Sequence, residues 1–135
     1  MNFELACLED FNEIENLYWD LIDKSKEEPS FPDWKKGVHP SADFLMAGIV
    51  QKELFVLRDM RYEYRGMGLA TQFVKNLISY AKLENIEAIH LDVIDKNTLA
   101  DKLYIRAGFK YVSTENIFYE VVGNRQFRMY EYVIE

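Results

Sequence analysis

The chain has 135 residues, 49% of them hydrophobic and 15% aromatic, enough for one domain with a buried core and too apolar for a disordered segment. Sixteen Lys and Arg against 23 Asp and Glu leave a formal charge of −7, which disfavours nucleic acid and anionic lipid and leans toward cationic partners such as amines. A single cysteine, Cys7, excludes an internal disulfide, and no signal peptide or membrane-spanning run is evident; the expectation is a cytoplasmic protein that binds no membrane.

In chain order, Phe3 to Cys7 reads as a short strand. Residues 8–26 follow with apolar positions at Phe11, Ile14, Leu17, Tyr18, Leu21 and Ile22, a helical stripe, and Asp10 with Glu13 resembles a capping box at its start. Residues 26–40 hold all three prolines and read as an ordered loop. Ser41 is placed to cap a second helix, "ADFLMAGIVQK", and "ELFVLRD" reads as the next strand. A long helix begins near Leu69, its apolar side formed by Leu69, Phe73, Leu77 and Ala81 and widened by Ala70, Val74 and Ile78. Ile89, Leu91 and Val93 alternate in a strand, Asn97 to Ala107 is a further helix, and Gly108 occupies its C-cap position. The aromatic, β-branched C-terminus is expected to fold as a hairpin turning at Gly123-Asn124. The class is mixed α/β, with at least one β-α-β step and an antiparallel end.

The stretch "YRGMGLAT", Tyr64 to Thr71, spends two of only six glycines at the mouth of the long helix. Either the turn needs dihedrals that a side chain resists, or the backbone must come close to a ligand. The first N–H groups of a helix lack intrahelical partners, and the helix dipole favours an anion there, so the stretch is a plausible diphosphate seat. A P-loop is excluded because no Gly-Lys-Ser/Thr follows, and a Rossmann fingerprint fits poorly: Thr71 stands where Gly or Ala belongs, and "RDMRYEY" is too polar for a buried parallel strand. That argues against a nucleotide-dependent oxidoreductase.

Arg65, Gly68 and Ala70 fill the pattern R-x-x-G-x-A, and here the sequence resembles the GNAT superfamily of acetyl-CoA-dependent N-acetyltransferases. A second motif of that family is met downstream by Asn97, Ala100, Leu103, Tyr104, Gly108 and Phe109 in "NTLADKLYIRAGFKYV". The resemblance implies a mixed, mostly antiparallel twisted sheet flanked by about four helices, forming one acetyltransferase domain over residues 1–135. It implies acetyl-CoA as cosubstrate, with the coenzyme's pyrophosphate on the backbone amides of Gly66, Met67, Gly68, Leu69, Ala70 and Thr71. Arg65 would lend charge, Asn97 would both cap its helix and meet the pantetheine arm, and Tyr104 would be the general acid.

No general base stands out. Asp92 and Glu63 are the candidates by nearness to the motifs. Cys7 lacks a neighbouring His, and His39 and His90 are too scattered for a metal site. Trp19 and Trp34 are better explained by packing than by an acceptor pocket. The chain also departs from the family, because two further strands are expected between "ELFVLRD" and the glycines. Their absence is either a true deletion or an omitted segment, and the exposed sheet edges that a deletion would leave favour the second, with a break near Met60–Arg61. The leading function is acetyl transfer to a primary amine by direct attack. The alternative is a catalytically idle acyl-CoA-binding module that serves as a sensor or docks a partner. The acceptor's identity is not legible, and the aromatic C-terminal hairpin is the surface on which a homodimer would form.

Overall fold

The computed structural model describes residues 2–29, 31, 33–58, 68–120 and 123–135. The chain divides into two compact units, Met1–Met60 and Arg61–Glu135, each with its own core.

In the first unit, β1 (Asn2–Leu5) pairs antiparallel with β2 (Phe55–Arg58), and the rings of Phe3 and Phe55 stack with centroids 5.1 Å apart. Helices α1 (Phe11–Ser25) and α2 (Ala42–Val50) form where the apolar periodicity places them, but Leu17 and Leu21 of the expected α1 stripe are exposed. Ile14 and Ile22 of α1 and Leu45 and Ile49 of α2 are buried; Ile14, Leu45 and Ile49 join Ala6 in the core cluster. Ser41 caps α2 as expected, its hydroxyl accepting the Phe44 N–H at 3.1 Å. In the proline-bearing loop, Trp34 packs against Tyr18 and Phe31, so its ring serves the core.

The start of α1 differs from expectation. A 3-10 turn, Leu8–Asp10, precedes the helix, so the cap moves upstream to Cys7 and Glu13 takes no part. The Asp10 carboxylate accepts the Cys7 backbone N–H at 2.9 Å and is also paired with the Arg58 guanidinium of β2. The Cys7 N–H, then Arg58 and the Cys7 thiol, hold the Asp10 carboxyl down to about 2. A carboxyl lowered on folding stabilises the native state above its unfolded value of about 4, and that contribution is lost as pH falls through about 2. Thermal melts of the wild type should therefore lose their advantage over Asp10→Asn as pH drops across that window, the two curves converging at its acid end.

In the second unit, α3 (Leu69–Leu83), β3 (Ala88–Ile94), α4 (Thr98–Ala107), β4 (Lys110–Tyr119) and β5 (Gly123–Val133) form a three-stranded sheet covered by two helices. The strand order is β3-β5-β4, with both neighbouring pairs antiparallel. β3 and β4 are therefore parallel to each other, and β3-α4-β4 is the expected β-α-β step, split by β5. Alternation places Leu91 and Val93 of β3 and Tyr130 of β5 on the helix-bearing face, where they meet Val74 and Ile78 of α3 and Phe109. The buried stripe of α3 is Val74, Ile78 and Ala81, while Leu69, Phe73 and Leu77 are half-buried. The hairpin turn also falls earlier than expected. Gly123, at φ +72°, already pairs with Tyr119 as the first residue of β5, and Asn124 lies within the strand opposite Phe118.

Candidate active site

Gly68 is the N-cap of α3 and adopts φ +69°, ψ +20°, in the left-handed region where a side chain is strained. Of the two readings of this glycine, the unusual dihedral is realised. A Cβ built on Gly68 would meet no atom of the described residues within 4 Å. No side chain of the described residues caps α3. The first intrahelical bond runs from the Gln72 N–H to the Gly68 carbonyl at 2.9 Å, which leaves the amides of Leu69, Ala70 and Thr71 free of intrahelical partners. Open backbone, uncapped donors and the positive end of the helix dipole suit a diphosphate. Arg65, Gly66 and Met67 lie outside the described residues, as do Glu63 and the expected break at Met60–Arg61.

Asn97 precedes α4 and Tyr104 lies on it. Asn97 is its N-cap, the side-chain oxygen accepting the Ala100 N–H at 3.2 Å. Gly108 ends the helix at φ +99°; a Cβ there would come within 3.1 Å of the Tyr132 ring, so dihedral and packing both require glycine. Tyr104 is half-buried against the core, its ring edge-on to Phe109 at 5.5 Å. Burial raises its hydroxyl above the ordinary tyrosine value, and the charge of Asp92 adds to this. The phenol is therefore protonated at neutral pH. Asp92 itself is exposed on β3, and its carboxylate accepts the Tyr119 hydroxyl at 3.0 Å. Cys7 is exposed and its thiol lies 3.3 Å from Asp10.

Sequence reasoning missed one cluster. Arg128 of β5 donates to both carboxylate oxygens of Asp101 on α4 and to the side chain and carbonyl of Asp95 in the β3–α4 turn, and the Tyr130 hydroxyl donates to Asp101 at 2.8 Å. The available signal was strand alternation: in "QFRMYEY" an arginine occupies a position that faces the helices, where a charge needs a partner.

The second unit thus places a helix that begins at a left-handed glycine beside a Tyr-bearing helix on an antiparallel sheet. Residues 60–109 match the family model described as the acetyltransferase (GNAT) family. No curated protein matches the chain. Among solved structures, it is similar to an N-acetyltransferase from Staphylococcus aureus Mu50, at 19% identity and a TM-score of 0.70 with 100% of each chain covered. It is also similar to Arabidopsis thaliana NAA60 in complex with acetyl-CoA, at 18% identity and a TM-score of 0.66 over 98% of each chain. A third is the spermidine N-acetyltransferase of Vibrio cholerae in complex with CoA and spermine, at 17% identity and a TM-score of 0.68, covering 98% of this chain and 95% of that one. The match covers 50 of the 135 residues, and the likeness to these structures shows a shared fold.

Proposed function

We propose that the protein is a cytoplasmic N-acetyltransferase that moves an acetyl group from acetyl-CoA to a primary amine by direct attack. The observation that carries this reading is the pairing of an open, uncapped helix start at Gly68 with a half-buried, protonated Tyr104 in one unit. The cosubstrate bound in the Arabidopsis relative, acetyl-CoA, is the ligand that such a pair suits. When bound, it supplies the thioester whose acetyl group passes to the amine nitrogen and whose sulfur departs as a thiolate.

The chain's own residues then have distinct tasks. The amides from Gly66 through Thr71 hold the pyrophosphate, with Arg65 adding charge. Asn97 meets the pantetheine arm while capping α4. Tyr104 gives its proton to the departing sulfur, a contribution of about 10²–10⁴-fold for a positioned acid. Asp92, whose charge reaches Tyr104, is the candidate to take the proton that the amine sheds.

The net charge of −7 favours a cationic acceptor, and the spermine in the Vibrio complex makes a polyamine a rational first member of a test panel. A lysine-bearing peptide and a peptide with a free N-terminal alanine complete that panel. Calorimetric titration with acetyl-CoA, with NAD and ATP as controls, tests the cofactor. Micromolar binding of acetyl-CoA alone is expected, and its absence would remove the reading. Gly68→Val should weaken that binding about tenfold, because a β-branched residue is strained by about 1–3 kcal/mol at positive φ. Unchanged affinity in the variant would show that the coenzyme does not use this helix start.

A further inference from the structure

The N-cap of α4 and two residues of the helix stand along one face. Asn97, Asp101 and Tyr104 stand at i, i+4 and i+7, so Asp101 sits between the two residues assigned to the coenzyme. Unlike them, Asp101 is fully engaged by protein. Arg128 Nε and Nη2 reach its two oxygens at 3.0 and 2.5 Å, and the Tyr130 hydroxyl reaches it at 2.8 Å. The same guanidinium donates to the Asp95 side chain and carbonyl at 2.5 and 2.6 Å. One planar group therefore ties the central strand both to the turn that leads into α4 and to the first turn of the helix.

The clamp is sheltered as well as dense. The side chains of Arg128 and Asp101 are only 20% and 16% exposed. Arg128 and Tyr130 lie two apart on β5, opposite Val93 and Leu91 of β3, so both rise from the helix-bearing face of the middle strand. Apolar packing by Ala100, Leu103 and Ala107 holds α4 against the sheet but resists sliding and rotation weakly, because apolar contacts are non-directional. A forked guanidinium with two carboxylates and a carbonyl fixes direction as well as distance.

We propose that Arg128, through Asp101 and Asp95, is a positioning residue that sets the rotation and axial register of α4 and thereby places the Tyr104 hydroxyl for proton transfer. This rests on the acetyltransferase reading of Tyr104. Displacing an acid by about 1 Å can cost about 10²-fold in rate, so a clamp one helical turn away has leverage on kcat without touching substrate. Arg128→Lys keeps the charge but cannot span Asp101 and Asp95 together, and Arg128→Met removes both functions.

The test is a double-mutant cycle between Arg128 and Tyr104, read as release of CoA thiol from acetyl-CoA with the panel amine of highest turnover. Arg128→Met and Arg128→Lys should lower kcat about 10- to 100-fold with KM for acetyl-CoA little changed. Adding Tyr104→Phe should cost nothing beyond Tyr104→Phe alone, since the clamp acts through that hydroxyl. Additive losses, or full activity in Arg128→Met, would overturn the inference while leaving the acetyltransferase reading intact. A Tyr104→Phe variant with full turnover would overturn both the clamp and the acid role of Tyr104.

A readout independent of turnover is the tyrosine-ring carbon resonance of Tyr104 in labelled, folded protein. Its ionisation should move down toward the ordinary tyrosine value in Arg128→Lys as the ring loses its sheltered position. A titration identical to wild type would count against the clamp.

Discussion

Tyr104→Phe is expected to lower kcat by about 10²–10⁴-fold while acetyl-CoA binds as tightly as before. The substitution removes one oxygen and little else. The ring packs edge-on to Phe109 and against the core, contacts that phenylalanine preserves. The hydroxyl donates to no protein group among the described residues, so its loss orphans no acceptor. What disappears is the proton held ready at a site where burial and the Asp92 charge both resist ionisation. The pH profile separates acid catalysis from packing. Wild-type kcat should fall only at a pH above the ordinary tyrosine range of about 10, and the variant should lack that limb. A variant as active as wild type would show that another group protonates the thiolate, whereas no turnover in either protein, with the coenzyme still bound by calorimetry, would point instead to an idle acyl-CoA-binding module.

Leu45→Ala should destabilise the first unit by about 2–5 kcal/mol, the range for a fully buried leucine whose cavity cannot collapse. Leu45 is 1% exposed, clustered with Ala6, Ile14 and Ile49, and carried by a nine-residue helix anchored at its start by Ser41. Its neighbours come from two helices and the segment after β1, so no single movement closes the gap. Chemical denaturation followed by hydrogen exchange at α1 and α2 amides reads the effect directly. A cost below 1 kcal/mol would mean that the cluster is not the core of that unit. Since single-domain stabilities are about 5–15 kcal/mol in all, the expected loss is a large fraction of the whole.

Helix and strand identity was legible wherever one physical rule dominated. The period of the apolar residues gave α1, α3 and α4; Ser41, Asn97 and Gly108 marked ends because their side chains, or the lack of one, solve a specific problem of backbone pairing. Two paired motifs pointed to Gly68, Asn97 and Tyr104 before any geometry was known. Illegible features depended on partners distant in sequence. The Asp10 carboxylate that caps at Cys7 is also held by Arg58, which lies 48 residues after it, and the clamp joins Asp101 to Arg128 across 27 residues. No local pattern in "NTLADKLY" shows that Asp101 is held by Arg128 and Tyr130. The buried stripe of α3 shifted onto Val74 and Ile78 for a related reason: periodicity gives the width of an apolar face, and only the sheet decides which residues stand at its centre.

The split β3-α4-β4 step sets an order of events during synthesis. A ribosome releases β3, α4 and β4 before β5, the strand that must lie between them. Until β5 arrives, both flanking strands offer unpaired backbone to any neighbouring chain, and Phe109 and Val93 have no Tyr130 to cover them. The nascent protein therefore passes through a stage in which its sheet is a frame without a centre, and rapid insertion of one strand protects it from its neighbours on the polysome.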